Sequence, residues 1–379
     1  MDEQAREHVS PGEASQQPEP EANVVNITGY RFLDLPDRDE LRPWFREQCD
    51  ALSLKGLILL SHEGINYFVA GTQAATDAFH ALLESDAPPL NGRFKDIYCK
   101  VSYSRQPPFK RMLVKLKKEI ISLGISSVKP AERTGLRLEP TELKQWLDEG
   151  KPCVLLDTRN DYEIRLGAFE QAVDMKLESF GEFPAAVAKL PSEYKQLPVV
   201  TYCTGGVRCE KATTVMQDAG FGEVYQLEGG ILGYFEACGE TKHWRGDCFV
   251  FDDRVALDQK LRETSAKMCF ACREPVTLSD QASPKYVQGV SCPRCADKGT
   301  NSRSYHRPGG NTAANNDEQE DKEETGGDAA TEASTTGETA EGIASNGNGR
   351  KEDEPAGELP SVVGDSATRI TKEAKSSSE

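Results

Sequence analysis

The chain reads as a multidomain protein built from α/β and α+β modules, and three observations predict this. A short, apolar, β-branched run, Leu197-Pro198-Val199-Val200-Thr201-Tyr202, leads directly into Cys203-Thr204-Gly205-Gly206-Val207-Arg208. An apolar-patterned segment from Lys211 to Ala219 follows, so the order is buried strand, glycine-containing turn, helix. Ahead of this, residues 23–105 alternate strand-like and helix-like periodicity, and behind it residues 241–307 have little periodicity but four regularly spaced cysteines.

Each element can be justified in turn. Asn23 to Gly29 is strand-like. Asp37 to Leu54 carries helical periodicity on Leu41, Phe45 and Cys49. Lys55 to His62 and Ile65 to Ala70 read as two strands joined by Glu63-Gly64. Thr72 to Glu84 is helical, with Phe79, Leu82 and Leu83 on one side, and Phe94 to Val101 is read as the last strand. The order β-α-β-β-α-β predicts a ferredoxin-like (acylphosphatase-like) sandwich over residues 23–123. Gly124 to about Gly135 is a poorly patterned connection. It opens a second α/β unit, 124–240, with a helix from Thr141 to Asp148 and a strand from Cys153 to Leu156. Residues 241–307 form the cysteine-rich module. No internal repeat is visible.

The net charge of −17 is carried by the ends of the chain. Residues 1–22 hold six acids and one base, and residues 311–379 hold 17 acids and six bases, which leaves the middle nearly neutral. The segment from about Pro308 is rich in Gly, Ala, Thr, Glu, Ser and Asn with almost no large apolar residue, so residues 308–379 are expected to be disordered, as are residues 1–22. No apolar h-region, transit peptide or run of about 18 apolar residues appears, which predicts a cytoplasmic protein without a membrane span. Eleven cysteines in such a chain point to thiols and metal ligands rather than a disulfide framework.

Cys203 opens the loop between strand and helix. Backbone N–H groups of such a turn converge on one spot, and the helix N-terminus adds positive potential. A thiol held there loses its proton readily, and Arg208 can stabilise the thiolate or an anion carried on it. Arg208 follows Cys203 by five positions, with Cys209 at the sixth. A cysteine-dependent phosphatase loop would place its Arg at the sixth, so the shorter loop suits a terminal sulfur better than a phosphate. The stretch resembles the active-site loop of rhodanese domains. Leu155-Leu156-Asp157-Thr158-Arg159 through Tyr162-Glu163 to Gly167-Ala168-Phe169 is similar to the Asp-x-Arg…Glu-Tyr…Gly-His-Ile signature, with a changed order at Tyr162-Glu163 and Ala168 in place of His. Val224-Tyr225-Gln226-Leu227-Glu228-Gly229-Gly230-Ile231 resembles the closing strand and turn. The resemblance implies that Asp157 and Arg159 brace the loop formed by Thr204, Gly205 and Gly206. Lys211, one helical turn beyond Arg208, is expected to assist by charge. Cys209 is read first as packing and second as a resolving thiol.

Cys269-x-x-Cys272 and Cys292-x-x-Cys295 are separated by 19 residues. Two such hooks match a four-thiolate zinc site with every position filled, hence a structural Zn2+; iron fits the same ligands. No dinucleotide fingerprint for NAD or flavin is found.

The resemblance then widens. Cys248 to Ala256, the two hooks, and Tyr286-Val287-Gln288-Gly289-Val290-Ser291-Cys292-Pro293 look like the region after the rhodanese domain in bacterial tRNA uridine hydroxylases. His62-Glu63-Gly64-Ile65-Asn66 and Arg111 to Ile120 are similar to that family's other signatures, although Tyr67 stands where members commonly have Gly. The resemblance covers roughly residues 23–305. It implies 5-hydroxylation of the wobble uridine of tRNA with molecular oxygen as co-substrate and the cysteine matched by Cys203 implicated in activity. The long acidic tail is not part of the family pattern.

An RNA contact is also suggested by charge. From Arg93 to Lys118 there are nine bases against one acid, interleaved with Tyr98, Tyr103 and Phe109. Lys100, Arg105, Lys110, Arg111, Lys115 and Lys117 are the candidate phosphate contacts, with aromatics to stack unpaired bases; the plain alternative is a solvated basic face. Two other functions stay open at this stage. One is a sulfurtransferase that carries a persulfide on Cys203, received from thiosulfate or a persulfide donor protein. The other is a non-catalytic scaffold, which the retention of Cys203, Arg208 and both loop glycines argues against. The sequence specifies no oligomeric state.

Overall fold

A computed structural model describes residues 23–298. The expected disorder of residues 1–22 and 308–379 lies outside the described residues, as do residues 299–307 of the cysteine-rich module. Among the described residues no helix is long and apolar enough to cross a membrane.

The N-terminal part runs β1 (Val24–Phe32), α1 (Arg38–Ala51), β2 (Lys55–Ser61), β3 (Gly64–Gly71), α2 (Gln73–Leu83), β4 (Lys100–Ser104) and β5 (Met112–Leu116). Its five strands lie in the order β4-β1-β3-β2-β5. The first four give the expected ferredoxin-like arrangement, antiparallel from Val25↔Gly71 to Phe32↔Gly64 between β1 and β3. Helix α1 buries Leu41, Phe45 and Cys49, and α2 buries Thr76, Phe79 and Leu83, the residues that helical spacing places on one face. Each large apolar side chain so buried contributes about 1.5–3 kcal/mol. Thr72 caps α2, accepting from the Ala75 N–H at 3.2 Å.

Two strand expectations are corrected. The last strand of the sandwich is not Phe94–Val101 but Lys100–Ser104. Phe94 and Ile97 are buried as core plugs in a turn region where Asp96 has φ 57°, and pairing with β1 begins only at Lys100↔Thr28. Apolar residues in a tight turn mimic the composition of a strand without its register. The second correction is β5, a fifth strand parallel to β2, from Gly56↔Met112 to Leu60↔Leu116. It hid within the basic run, because a half-covered edge strand carries lysines among its apolar residues.

The next part runs β6 (Leu136–Leu138), α3 (Pro140–Glu149), β7 (Val154–Asp157), α4 (Asp161–Ile164), β8 (Gly167–Phe169), β9 (Val173–Asp174), α5 (Phe183–Val187), β10 (Val199–Tyr202), α6 (Val207–Asp218), β11 (Val224–Leu227) and α7 (Gly230–Cys238). Strands β6-β11-β10-β7-β9 form one sheet, and every pairing in it is parallel. Separate apolar clusters cover its two faces, around Tyr202, Leu227 and Phe235 and around Leu156, Phe183 and Met216, as a parallel sheet requires. The loop after β10 therefore lies at the carboxyl end of a central strand, where open α/β sheets bind ligands.

Short pairs complete the chain. β12 (Trp244–Gly246) pairs with β8, β13 (Cys248–Phe249) with β14 (Ala256–Leu257), and β15 (Lys267–Met268) with β16 (Pro275–Val276), followed by α8 (Leu278–Gln281). The last of these pairs belongs to a small cluster whose buried core is Cys269, Ala271, Cys272, Val276, Cys292 and Cys295.

Candidate functional site

Helix α6 begins at Val207, four residues earlier than its apolar pattern suggests, and Gly206 precedes it with φ 97°. Cys203 is therefore wrapped by the first turn of the helix. The Gly206 N–H donates to Cys203 Sγ at 3.1 Å. Burial by itself would push the Cys203 thiol up. A hydrogen bond from the Cys209 thiol, the charge of Arg208 and the N–H groups of Arg208 and Gly206 outweigh it and hold the thiol at about 5. Cys209 keeps its own proton, because burial and the neighbouring Cys203 push its thiol well above the usual range. Cys209 is thus more than packing, because it donates to the thiolate.

Arg208 does not act as a free cation. Its guanidinium grips the Glu163 carboxylate in a fork, at 2.6 and 2.8 Å, with both partners buried. The Thr204 hydroxyl donates to the same carboxylate at 3.4 Å, and the Asn160 N–H donates to it at 3.0 Å. Glu163 is therefore the residue that braces the loop, and the sequence reading missed its role. The available signal was the changed order Tyr162-Glu163, which moves the acid one position along the short helix α4. Glu163 offsets part of the charge of Arg208, and the N–H groups of Arg208 and Gly206 add to the stabilisation of the thiolate after the Cys209 bond and that charge.

Asp157 and Arg159 show no hydrogen bond or ion pair to residues 204–206. They pair with each other at 2.6 Å in full burial, and Arg159 also donates to the Gly167 carbonyl at 2.7 Å. They fasten the end of β7 to β8. The Arg159 guanidinium also lies over the rings of Tyr202 and Trp244. Lys211 departs further from expectation. Its Nζ binds Glu63 at 2.8 Å, Glu119 at 2.7 Å and the Ile121 carbonyl at 2.9 Å. Glu63 in turn accepts from the Ile120 N–H at 2.8 Å, and the Asn66 amide donates to the Ile120 carbonyl at 3.4 Å. The His62-to-Asn66 and Arg111-to-Ile120 signatures thus meet α6 in one half-buried clasp. Lys211 clamps the N-terminal sheet to the rhodanese-like unit rather than assisting the thiol.

The N-terminal sheet also closes over the loop. Lys100 is 5% exposed and belongs to this seam, not to a surface basic patch. Its ammonium lies 5.5 Å from the Tyr30 ring and 4.8 Å from the Tyr98 ring. A Cβ at Gly205 would sit 3.3 Å from Lys100 Cε, and one at Gly206 would sit 3.0 Å from the Tyr30 hydroxyl. Both loop glycines are thus matched to side chains of the other sheet. The Tyr30 hydroxyl donates to Glu210 at 3.1 Å, and Arg137, Thr134 and Gln226 converge on the same carboxylate. Burial pushes Lys100 down to about 8. A cavity of about 40 Å3 lies beside Lys100 and Thr204, walled by Thr28, Ser102, Phe251 and Arg254. Of the other basic candidates, Arg105, Lys110 and Arg111 are exposed, while Lys115 in β5 and Lys117 just after it are half-buried.

The four cysteines of the hooks come together as expected, with all sulfur atoms within 4.8 Å of one another. The pairs Cys269–Cys295, Cys272–Cys292 and Cys292–Cys295 stand at 3.9, 3.6 and 3.8 Å. A tetrahedron with metal–sulfur bonds of about 2.3 Å has edges of about 3.8 Å, so this donor set fits a tetrathiolate ion.

Residues 24–120 match the UPF0176 acylphosphatase like domain, and residues 139–237 match the rhodanese-like domain. The tRNA uridine(34) hydroxylase of Cupriavidus necator is 52% identical over 277 residues, 72% of this chain and 96% of that protein. The protein of the same name from Burkholderia thailandensis is 45% identical over 289 residues, 75% of this chain and 97% of its own length. A rhodanese-like domain protein from Staphylococcus aureus, known from its crystal structure, is 26% identical over 26% of this chain and 90% of its own, with a TM-score of 0.22. Since the two hydroxylases are covered over 96% and 97% of their own lengths at 52% and 45% identity, the chain belongs to the tRNA uridine(34) hydroxylase family.

Proposed function

We propose that this protein hydroxylates the wobble uridine of tRNA at C5, with Cys203 as the reacting group and molecular oxygen as co-substrate. The observation that carries this reading is Cys203 at the start of α6, its sulfur accepting the Gly206 N–H at 3.1 Å and its thiol lowered, in a chain 52% identical over 277 residues to a named hydroxylase. A thiolate at neutral pH can add to C6 of a uracil ring. The addition moves the C5=C6 electron pair towards C5 and O4, which makes C5 the electron-rich carbon where the hydroxyl is installed. Glu163 and Arg208 hold the loop in shape, the protonated Cys209 thiol donates to the sulfur, and the Gly206 N–H steadies it.

The exposed bases Arg105, Lys110 and Arg111 are assigned to phosphates of the anticodon arm. The four-cysteine cluster is assigned a structural Zn2+. With four thiolate ligands no open position remains, so the ion's role is to hold residues 269–295 together.

The test is nucleoside mass spectrometry of tRNA from a host that lacks wobble-uridine hydroxylation and expresses this chain or its Cys203→Ala variant. 5-Hydroxyuridine with the wild type and none with the variant supports the reading. Its absence with soluble wild-type protein refutes it. A sulfurtransferase would then be favoured by the same thiolate, and a persulfide on Cys203 would be the species to detect.

A further inference from the structure

Lys100 presents a buried ammonium that no carboxylate among the described residues pairs with. It starts strand β4, and the strand's alternation puts it on the same inward side as Ser102 and Ser104. Burying an ammonium without a counter-ion is unfavourable, and a methionine of similar length would fill the space without that penalty. Charged groups kept in such positions mark functional sites. The location agrees: Lys100 lies against Gly205, two residues from Cys203, and lines the 40 Å3 cavity together with Thr204. The ionisable groups around it are Cys203, Cys99, Glu236 and Arg137, together with the rings of Tyr30 and Tyr98. Glu236 is engaged by the Tyr98 hydroxyl at 3.2 Å. The negative neighbour that remains is the Cys203 thiolate, whose charge passes to the substrate when the sulfur adds.

We propose that Lys100, supplied by the N-terminal sheet, is a catalytic residue that binds the uracil O4 as it becomes anionic. The proposal rests on the hydroxylase reading above. In the step concerned, the thiolate electron pair forms the Cys203 Sγ–C6 bond. The C5=C6 pair shifts to C4–C5, and the C4=O pair moves onto O4, which accepts a hydrogen bond from the Lys100 ammonium. No proton leaves the system in this step. Tyr98, 46% exposed at the mouth of the seam, offers its ring for the flipped base to stack on. Since Cys203 is fully buried, Tyr98 and Lys100 must shift as the ring enters. The N-terminal sheet is on this account half of the active site.

The test compares full-length wild type, Lys100→Met and Lys100→Arg. Two readouts are used: 5-hydroxyuridine in tRNA of the complemented host, and the rate at which purified protein forms a covalent adduct with a 5-fluorouridine anticodon stem-loop between pH 5 and 10. Losing one donor to a developing oxyanion typically slows a reaction by about 100- to 1,000-fold. Lys100→Met should fall by that much in adduct rate, while stem-loop affinity changes by less than about threefold and thermal stability holds or rises. In the wild type, the adduct rate should decline above the Lys100 value of about 8. Lys100→Arg should keep part of the rate and lose that alkaline decline, because Arg stays charged. Wild-type levels of 5-hydroxyuridine with Lys100→Met overturn the proposal. So does a rate loss explained wholly by weaker stem-loop binding, or a wild type that makes 5-hydroxyuridine but never forms an adduct. A wild type that makes no 5-hydroxyuridine overturns the hydroxylase reading, and this proposal with it.

Discussion

Replacing Lys211 with Met should unfasten the N-terminal sheet from the rhodanese domain. The Lys211 ammonium is 1% exposed and sits 2.8 Å from Glu63 and 2.7 Å from Glu119. At an effective dielectric of about 20, each contact is worth about 6 kcal/mol before desolvation. Desolvation cancels much of this, and removing one partner of a buried pair typically costs about 3–5 kcal/mol. The two carboxylates are each 22% exposed and can recover some water, so the lower end applies, about 3 kcal/mol. Burial already raises the Glu63 carboxyl while Lys211 opposes that rise, so without the lysine Glu63 climbs further and takes up a proton more easily. The assay is urea denaturation at pH 7, followed by intrinsic fluorescence. With a slope of about 3 kcal/mol per molar, the midpoint should drop by about 1 M, and the transition should broaden or split as the two parts lose their coupling. The triple variant Lys211→Met, Glu63→Gln, Glu119→Gln should recover most of the loss, because it removes the stranded charges as well. A Lys211→Met midpoint within about 0.2 M of wild type would refute the reasoning. A large shift in the titration of Cys203 would do so too, since that is what a charge aimed at the thiol would produce.

Three further outcomes are expected. A Cys203→Ser variant should lose a thiolate absorbance near 240 nm that the wild type keeps from about pH 5 upwards. The folded thiol lies below its unfolded value of about 8.5, so the thiolate contributes stability that is complete above pH 8.5. It is lost as pH falls towards 5, at no more than about 1.4 kcal/mol per pH unit. Wild type and variant should therefore converge in stability at pH 5 and diverge at pH 8, and a constant difference would count against a low thiol. Glu163→Gln should cost about 3 kcal/mol by stranding the buried Arg208, and should lower the Cys203 thiol further because that charge is no longer offset; a raised thiol would show that Arg208 acts only through the loop's shape. One equivalent of zinc should be found by elemental analysis and lost in Cys272→Ser, with proteolysis then confined to the region around residues 269–295; full-length protein that carries no metal and resists proteolysis equally in both forms would contradict a structural ion.

Much of this protein is decided locally. Helices α1 and α2 follow from apolar spacing, the hooks from two Cys-x-x-Cys pairs, and the turn around Cys203 from a strand, two glycines and a helix start. Those features depend on neighbours within a few residues, so periodicity and spacing reveal them. The resemblance of ordered motifs extended this to the family, because the segments around His62, Cys203 and Cys292 occur in one sequence. What could not be read locally is which distant side chains meet. Lys100 looks like one member of a basic run, yet strand alternation and the packing of two sheets bury it beside Gly205. Lys211 looks like a neighbour of the thiol, yet the turn of α6 sends it to carboxylates about 90 and 150 positions earlier in the chain. Glu163 is an ordinary acid in a short helix until the fold brings Arg208 within 2.6 Å of it. Charge pairs of this kind carry no sequence period, since either partner can stand anywhere that the chain returns to the same place. Sequence alone therefore determined the modules and the cysteine at the strand-to-helix turn, and only the tertiary structure decided which charges face it and which hold the two sheets together.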